Sequence, residues 1–266
     1  MPPGVARRDF NSLKTWRQLT ENFFLAECKN GDSFLISPKQ NLAIKIKAGG
    51  YIPKSGLFLA NTLAAFPVAG LAVLDIGTGE TGILANYLKS QGADRVVGCD
   101  IDRDAIKHAE TASSASKDIK WLVSDVYSAI PQQLFDLIVS NPPQMPMSAS
   151  GHHHDYGGED GRQVIIRIMR GVSKYLSVGG CVVILGFDFL GTERQTNNEP
   201  SLAQIGEGLG FNFSLLASEE RPIRKGGETE KNLGWIKSRY PGYEFEEGRD
   251  GSLIYRLHIM QFRKKD

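Results

Sequence analysis

In the stretch LFDLIVSNPPQMP, Leu134 to Pro146, an apolar run stops on Asn141 and two prolines. Asn carries a carbonyl acceptor on a short arm. Pro143 keeps Pro142 out of the helical region and holds it extended. Pro142 therefore presents its backbone carbonyl outward, and neither proline has an N–H to offer. Two fixed acceptors, with local donors removed, suit a substrate –NH2 group held by both hydrogens. Its lone pair then points away from both, toward an electrophile opposite. Gln144 follows with a polar amide. The competing reading is a loop whose prolines only end a strand.

Other strand ends carry acids. Asp75-Ile76-Gly77-Thr78-Gly79-Glu80-Thr81-Gly82 has the literal G-x-G-x-x-G spacing, and Asp100 ends the next strand. That spacing occurs in dinucleotide-binding turns. Here an acid, Asp75, precedes the first glycine, and about seventy residues precede the strand. A carboxylate at that place suits an ammonium better than a pyrophosphate. Asp100 can accept both hydroxyls of a ribose, and Ile101 can lie on a flat base. Asp102 fits the N-cap of the helix that follows. Asp125 offers a carboxylate to the amino edge of an adenine, or else a second N-cap.

The loop SASGHHHDYGGEDG follows the proline motif. Adjacent histidines in one short loop rarely converge on one ion, so no metal is expected. His154, Asp155 and Tyr156 are candidate substrate-facing residues, and a histidine there could shuttle a proton near neutral pH. Arg221, Arg224 and Lys225 could meet a carboxylate or phosphate, or could belong to a solvated loop.

These groups need a scaffold. From Leu71 onward, short apolar runs alternate with helical patterns, which predicts a mostly parallel sheet covered on both faces. Ligands on such sheets bind beyond the carboxyl ends of the strands. GRQVIIRIMRGVSKYLSVGG reads as one long helix stopped by a double glycine, and residues 221–251 as a long loop or partial lid before an antiparallel final pair. TWRQLTENFFLAE reads as an amphipathic helix, followed by one or two short strands in DSFLISPKQNLAIKIKA. The expected division is 1–50, a helix/strand extension, and 51–266, the catalytic domain. The 266 residues, with 41% hydrophobic and 23% charged, are globular in composition, and the net charge of +1 neither requires nor excludes nucleic acid. No apolar run reaches bilayer length. The N-terminus lacks the apolar core of a secretory signal. Cys28, Cys99 and Cys181 read as reduced core residues of a cytoplasmic protein.

The ordered set GGYIPKSGLFLANTL, LDIGTGETGILA, VVGCDID, LVSDVY and FDLIVSNPPQ resembles the class I S-adenosylmethionine-dependent methyltransferases. It is most similar to the branch with an (N/D)PP(Y/F) motif that methylates planar or amide nitrogens. YGGEDGRQVI resembles the corresponding segment of protein-glutamine N5-methyltransferases. The likeness spans about Tyr51 to Met260. It implies a doubly wound, Rossmann-like α/β sheet of seven strands, one antiparallel, and S-adenosyl-L-methionine as cofactor. By position, Asp75, Gly77, Thr78 and Gly79 would surround the methionine part. Asp100 would take the ribose, Ile101 and Val126 the adenine, and Asp125 its amino group. Asn141 and Pro142 would orient the acceptor nitrogen, with Asn141 also near the cofactor and Pro143 and Gln144 facing substrate.

Two departures bear on the substrate. Gln144 stands where the branch has an aromatic that stacks on a planar amide or base. The chain before Tyr51 is short for the helical substrate domain of the glutamine methyltransferases. These favour nitrogen methylation of a small polar metabolite or amino-acid-like molecule. The alternative is a protein glutamine. A DNA or RNA base is third, since no basic, aromatic-studded strip is visible. A cofactor-binding protein without transferase activity, or an NAD-dependent oxidoreductase, completes the set. The sequence is silent on oligomeric state.

Overall fold

The structure, a computed structural model, describes residues 13–148, 155–195 and 199–265. The chain forms two compact units, Met1–Val139 and Ser140–Asp266.

The first unit opens with a four-stranded antiparallel sheet: β1 (Leu13–Gln18), β2 (Phe24–Cys28), β3 (Ser33–Ser37) and β4 (Leu42–Ile46), in that order. The helix expected over TWRQLTENFFLAE is therefore a hairpin. Trp16 pairs with Ala26 and Gln18 with Phe24. The Trp16 and Phe24 rings stack at 5.0 Å. A short apolar run fits either period, and pairing partners outside it decide. Here β2 finds β3, whose Leu35 and Ile36 are fully buried.

Next come α1 (Lys54–Leu63), β5 (Ala72–Ile76), α2 (Ile83–Ser90), β6 (Arg95–Asp100), α3 (Arg103–Ala109), β7 (Ile119–Val123) and β8 (Phe135–Ser140). The strand order is β8-β5-β6-β7. β5, β6 and β7 pair in parallel, Ala72 opposite Arg95 and Val96 opposite Ile119. Val73, Leu74, Val97, Cys99, Ile138 and Val139 are fully buried, so both strand faces are apolar, as a covered parallel sheet requires. The predicted N-cap is present: Asp102 Oδ1 accepts from the Asp104 and Ala105 amides at 2.8 and 3.3 Å.

The second unit contains α4 (Gln163–Gly171), β9 (Leu176–Phe187), α5 (Leu202–Gly208), β10 (Phe211–Pro222), α6 (Glu228–Lys231), α7 (Leu233–Arg239), β11 (Glu246–Glu247) and β12 (Leu253–Lys264). Its strand order is β10-β12-β9, with β11 on β12. β12 runs antiparallel to both β9 and β10, the reversed strand expected near the end of the chain. β11, two residues long, is a small addition to the expected strand pattern.

Two element predictions fail here. α4 ends at Gly171, and the double glycine lies inside β9 rather than closing a helix. Gly179 takes φ +73°, and its carbonyl accepts from Arg263 of β12 at 2.8 Å. The expected loop over 221–251 holds α6, α7 and β11. It is anchored by Ile236 and Tyr240, both buried, and by Trp235 Nε1, which donates to the Glu159 carbonyl at 2.8 Å.

Candidate active site

The turn after β5 is built by Asp75 from below. Asp75 is fully buried, and its Oδ2 accepts from the Thr78 hydroxyl at 2.5 Å and the Ala85 amide at 3.1 Å. Its Oδ1 is buried and bonds nothing in the structure. Burial pushes this carboxyl up to about 7, opposed by the Thr78 and Ala85 hydrogen bonds. The Gly77 and Thr78 amides donate to the Cys99 carbonyl at 2.8 and 3.0 Å, which ties the turn to the end of β6.

The glycines serve two different ends. Gly77 and Gly79 take φ +73° and +65°, and a Cβ on either would point into open space. Bare backbone of this kind allows another molecule to approach closely. Gly82 and Gly98 instead make room for Trp121: a Cβ would lie 2.4 and 2.5 Å from its ring. Trp121 is locked by Nε1 donating to the Ser116 carbonyl at 2.9 Å. Buried Asn86 supports the same corner. It donates to the Thr81 and Gly82 carbonyls and accepts from the Ser113 and Ser116 hydroxyls. Neither Trp121 nor Asn86 is visible as a site-builder in the sequence, because their partners lie on other elements.

Asp100 closes the turn. Its Oδ2 accepts from the Gly79 amide at 2.9 Å and its Oδ1 from the Asp102 amide at 3.0 Å. Each oxygen keeps a further lone pair for a hydroxyl. Ile101, beside it, is 57% exposed, an apolar side chain held in the open at a strand end. Val126 is buried and takes φ +52°, an unusual conformation for a β-branched residue. Asp125 is half-buried next to it, and its backbone amide donates to the Ser128 hydroxyl oxygen at 3.0 Å in a turn rather than opening a helix. The structure thus brings Gly77, Thr78, Gly79, Asp100 and Ile101 to the ends of β5 and β6, and Asp125 and Val126 to the end of β7.

In the second unit the proline motif is clamped. Asn141 and Pro143 are half-buried, and Pro142 and Gln144 are buried. The Gln144 amide does not face outward as a substrate contact. Its Oε1 accepts from the Phe187 amide at 2.6 Å, and its Nε2 donates to the carbonyls of Leu185 at 3.3 Å and Pro142 at 3.4 Å. The segment 155–161 zips onto this stretch: Met145 bridges to Tyr156, and the Met145 amide donates to the Asp155 carbonyl at 2.8 Å. Tyr156 is half-buried on that bridge. Arg162, 1% exposed, donates to the Pro200 carbonyl at 2.7 Å and pairs with Glu199 at 3.4 Å, while Arg239 meets Glu199 at 2.7 Å. His154 lies outside the described residues.

Known proteins share this pattern. A chain of Methanocaldococcus jannaschii named as a protein N5-glutamine methyltransferase is 35% identical over 160 residues, 58% of this chain and 77% of that one. The release factor glutamine methyltransferase of Koribacter versatilis is 34% identical over 121 residues. The match spans 41% of this chain and 43% of the Koribacter protein, less than half its length. The ribosomal protein L11 methyltransferase of Aquifex aeolicus is 31% identical over 134 residues, 47% of this chain and 51% of that one. Among solved structures, the 16S rRNA N2 G1207 methyltransferase of T. thermophilus, in complex with AdoMet and guanosine, superposes with TM-score 0.51 at 20% identity. That superposition covers 95% of this chain and 51% of the other, and it shows the shared fold. The cofactor these findings support is S-adenosylmethionine, the AdoMet of the T. thermophilus complex. The family model of the methyltransferase small domain matches residues 51–205, and the chain belongs to that family as an S-adenosylmethionine-dependent methyltransferase.

Proposed function

We propose that this methyltransferase acts on the side-chain amide of a protein glutamine, forming N5-methylglutamine. The observation that carries the reading is the Asn141-Pro142-Pro143 motif, which offers two acceptors to a carboxamide –NH2, in a chain 35% identical to the archaeal relative named for that reaction. The small-metabolite reading drew support from Gln144 as a polar substrate contact. Its amide is spent on backbone groups, so that support is withdrawn.

S-adenosylmethionine supplies a methyl group on a sulfonium cation. On this reading, Gly77, Thr78 and Gly79 hold its amino-acid end, Asp100 the ribose, and Ile101, Asp125 and Val126 the adenine. The Asn141 side-chain oxygen and the Pro142 carbonyl take the two amide hydrogens of the acceptor. The lone pair is then aimed at the methyl carbon. A C–N bond forms as the S–CH3 bond breaks, and positive charge passes from sulfur to nitrogen. The nitrogen sheds one proton to water or a carbonyl afterwards. A neutral acceptor needs no strong base beforehand, so orientation does much of the work. No step requires a histidine.

The test uses methyl-labelled S-adenosylmethionine, purified protein and a cell extract. Protein-bound label that is released as methylamine on acid hydrolysis is the expected result. Label confined to the small-molecule or nucleic-acid fraction overturns the reading.

A further inference from the structure

We propose that Gln144 is a positioning residue for methyl transfer: its carboxamide braces the Pro142 carbonyl against the end of β9 and so fixes the direction in which that carbonyl receives the acceptor nitrogen. This rests on the reading that Asn141 and Pro142 hold the acceptor.

The orientation of the amide follows from its partners. The Phe187 N–H is a donor and must meet Oε1, at 2.6 Å. The –NH2 end therefore faces the Leu185 and Pro142 carbonyls. Glycines wall this arrangement in. A Cβ on Gly157 would lie 2.5 Å from Gln144 Cα, and one on Gly161 would lie 2.5 Å from the Gln144 carbonyl oxygen. The side chain is 5% exposed, so it has no freedom to swing out. A phenylalanine here could neither donate to Pro142 nor accept from Phe187. A carbonyl oxygen has two lone-pair directions. Gln144 takes up one at Pro142, which leaves one for an incoming N–H. The two donor contacts, at 3.3 and 3.4 Å, are longer than the acceptor contact at 2.6 Å. Phe187, fixed by the same amide, stacks on Phe189 at 4.9 Å and meets the Tyr255 ring at 5.3 Å, so the brace ends on a rigid aromatic cluster.

Three variants test this with methyl-labelled S-adenosylmethionine at saturation and the extract as acceptor. Gln144→Met keeps the volume and loses the donors. It is expected to cut the initial rate of label transfer about tenfold or more, as misorientation does, with S-adenosylmethionine affinity unchanged. Gln144→Glu keeps the shape. Ionised, its carboxylate opposes two carbonyl oxygens; protonated, it donates to one. Its rate relative to wild type should therefore rise as pH falls. His258, opposite Gly186 in the β12–β9 register, and Asp188, which accepts from the Tyr243 hydroxyl, are present in both proteins, so their influence cancels in that ratio. Asn141→Ala is the control on the underlying reading. If Asn141→Ala abolishes transfer while both Gln144 variants match wild type in rate and pH profile, the Gln144 proposal falls alone. If Asn141→Ala is fully active, the acceptor geometry falls with it. Should Gln144→Met fail to fold, amide exchange decides: a Phe187 N–H in wild type that exchanges as fast as an open loop overturns the brace, and a protected one supports it.

Discussion

At the scale of single residues, the carboxylates at the strand ends do different work although they look alike in sequence. Asp100 holds two loop amides and keeps lone pairs to spare. Asp100→Ala removes charge-assisted bonds of about 1.5–3 kcal/mol each. It should weaken S-adenosylmethionine binding by roughly 10- to 100-fold, measured by calorimetry. Asn141→Ala should instead lower turnover by about 100-fold and leave cofactor affinity nearly intact. Asp75 is a buried brace with one unpartnered oxygen and a carboxyl pushed up to about 7. A pKa raised on folding gives stability that is complete below the unfolded value, near 4, and is lost as pH rises toward about 7. The unfolding free energy of wild type minus that of Asp75→Asn should therefore fall between about pH 4 and pH 7, and level off above. A difference independent of pH would refute the buried-carboxyl assignment.

At the scale of elements, the turn between β5 and α2 is shaped by Trp121 as much as by its own glycines. Gly98 sits in a strand with ordinary backbone, so its need is space alone: a Cβ would lie 2.5 Å from the Trp121 ring. Gly98→Ala should cost about 1–3 kcal/mol by overpacking, read from urea unfolding. In a Trp121→Leu background that cost should shrink. If it does not, the Trp121 contact is not the cause. The same scale explains the failed element predictions. Leu13–Gln18 became strand because it found hydrogen-bonding partners distant in sequence on β2, and Gly179 is tied by its carbonyl to the Arg263 side chain of β12. Local periodicity carries no record of such partners.

At the scale of the whole molecule, the core consumes every thiol. Cys28, Cys99 and Cys181 are all buried and none is in a disulfide, and burial pushes the Cys99 and Cys181 thiols up. A thiol reagent should find none of the three rapidly in native protein and all three after denaturation. Rapid labelling of the native chain would show a packing different from this one. Among the described residues, no helix is long and apolar enough to cross a membrane.

The sequence by itself determined the alternating α/β order from Leu71, the Asp102 cap, the glycine turn, the acids after three strands and the Asn141-Pro142-Pro143 motif. These signals are local: each rests on residue types at fixed short spacings, where backbone chemistry acts directly. The tertiary structure alone decided which glycines face open space and which face Trp121. It also decided that Asp75 lies beneath the turn, and that Leu13–Gln18 is strand. Gln144 shows the difference most plainly. Read in the chain, it is a polar residue in an aromatic's place, free to meet a substrate. Folded, its two partner carbonyls and one partner amide include groups on β9, some forty residues away. A side-chain amide is satisfied by whichever groups packing brings to it, and only the fold determines which those are.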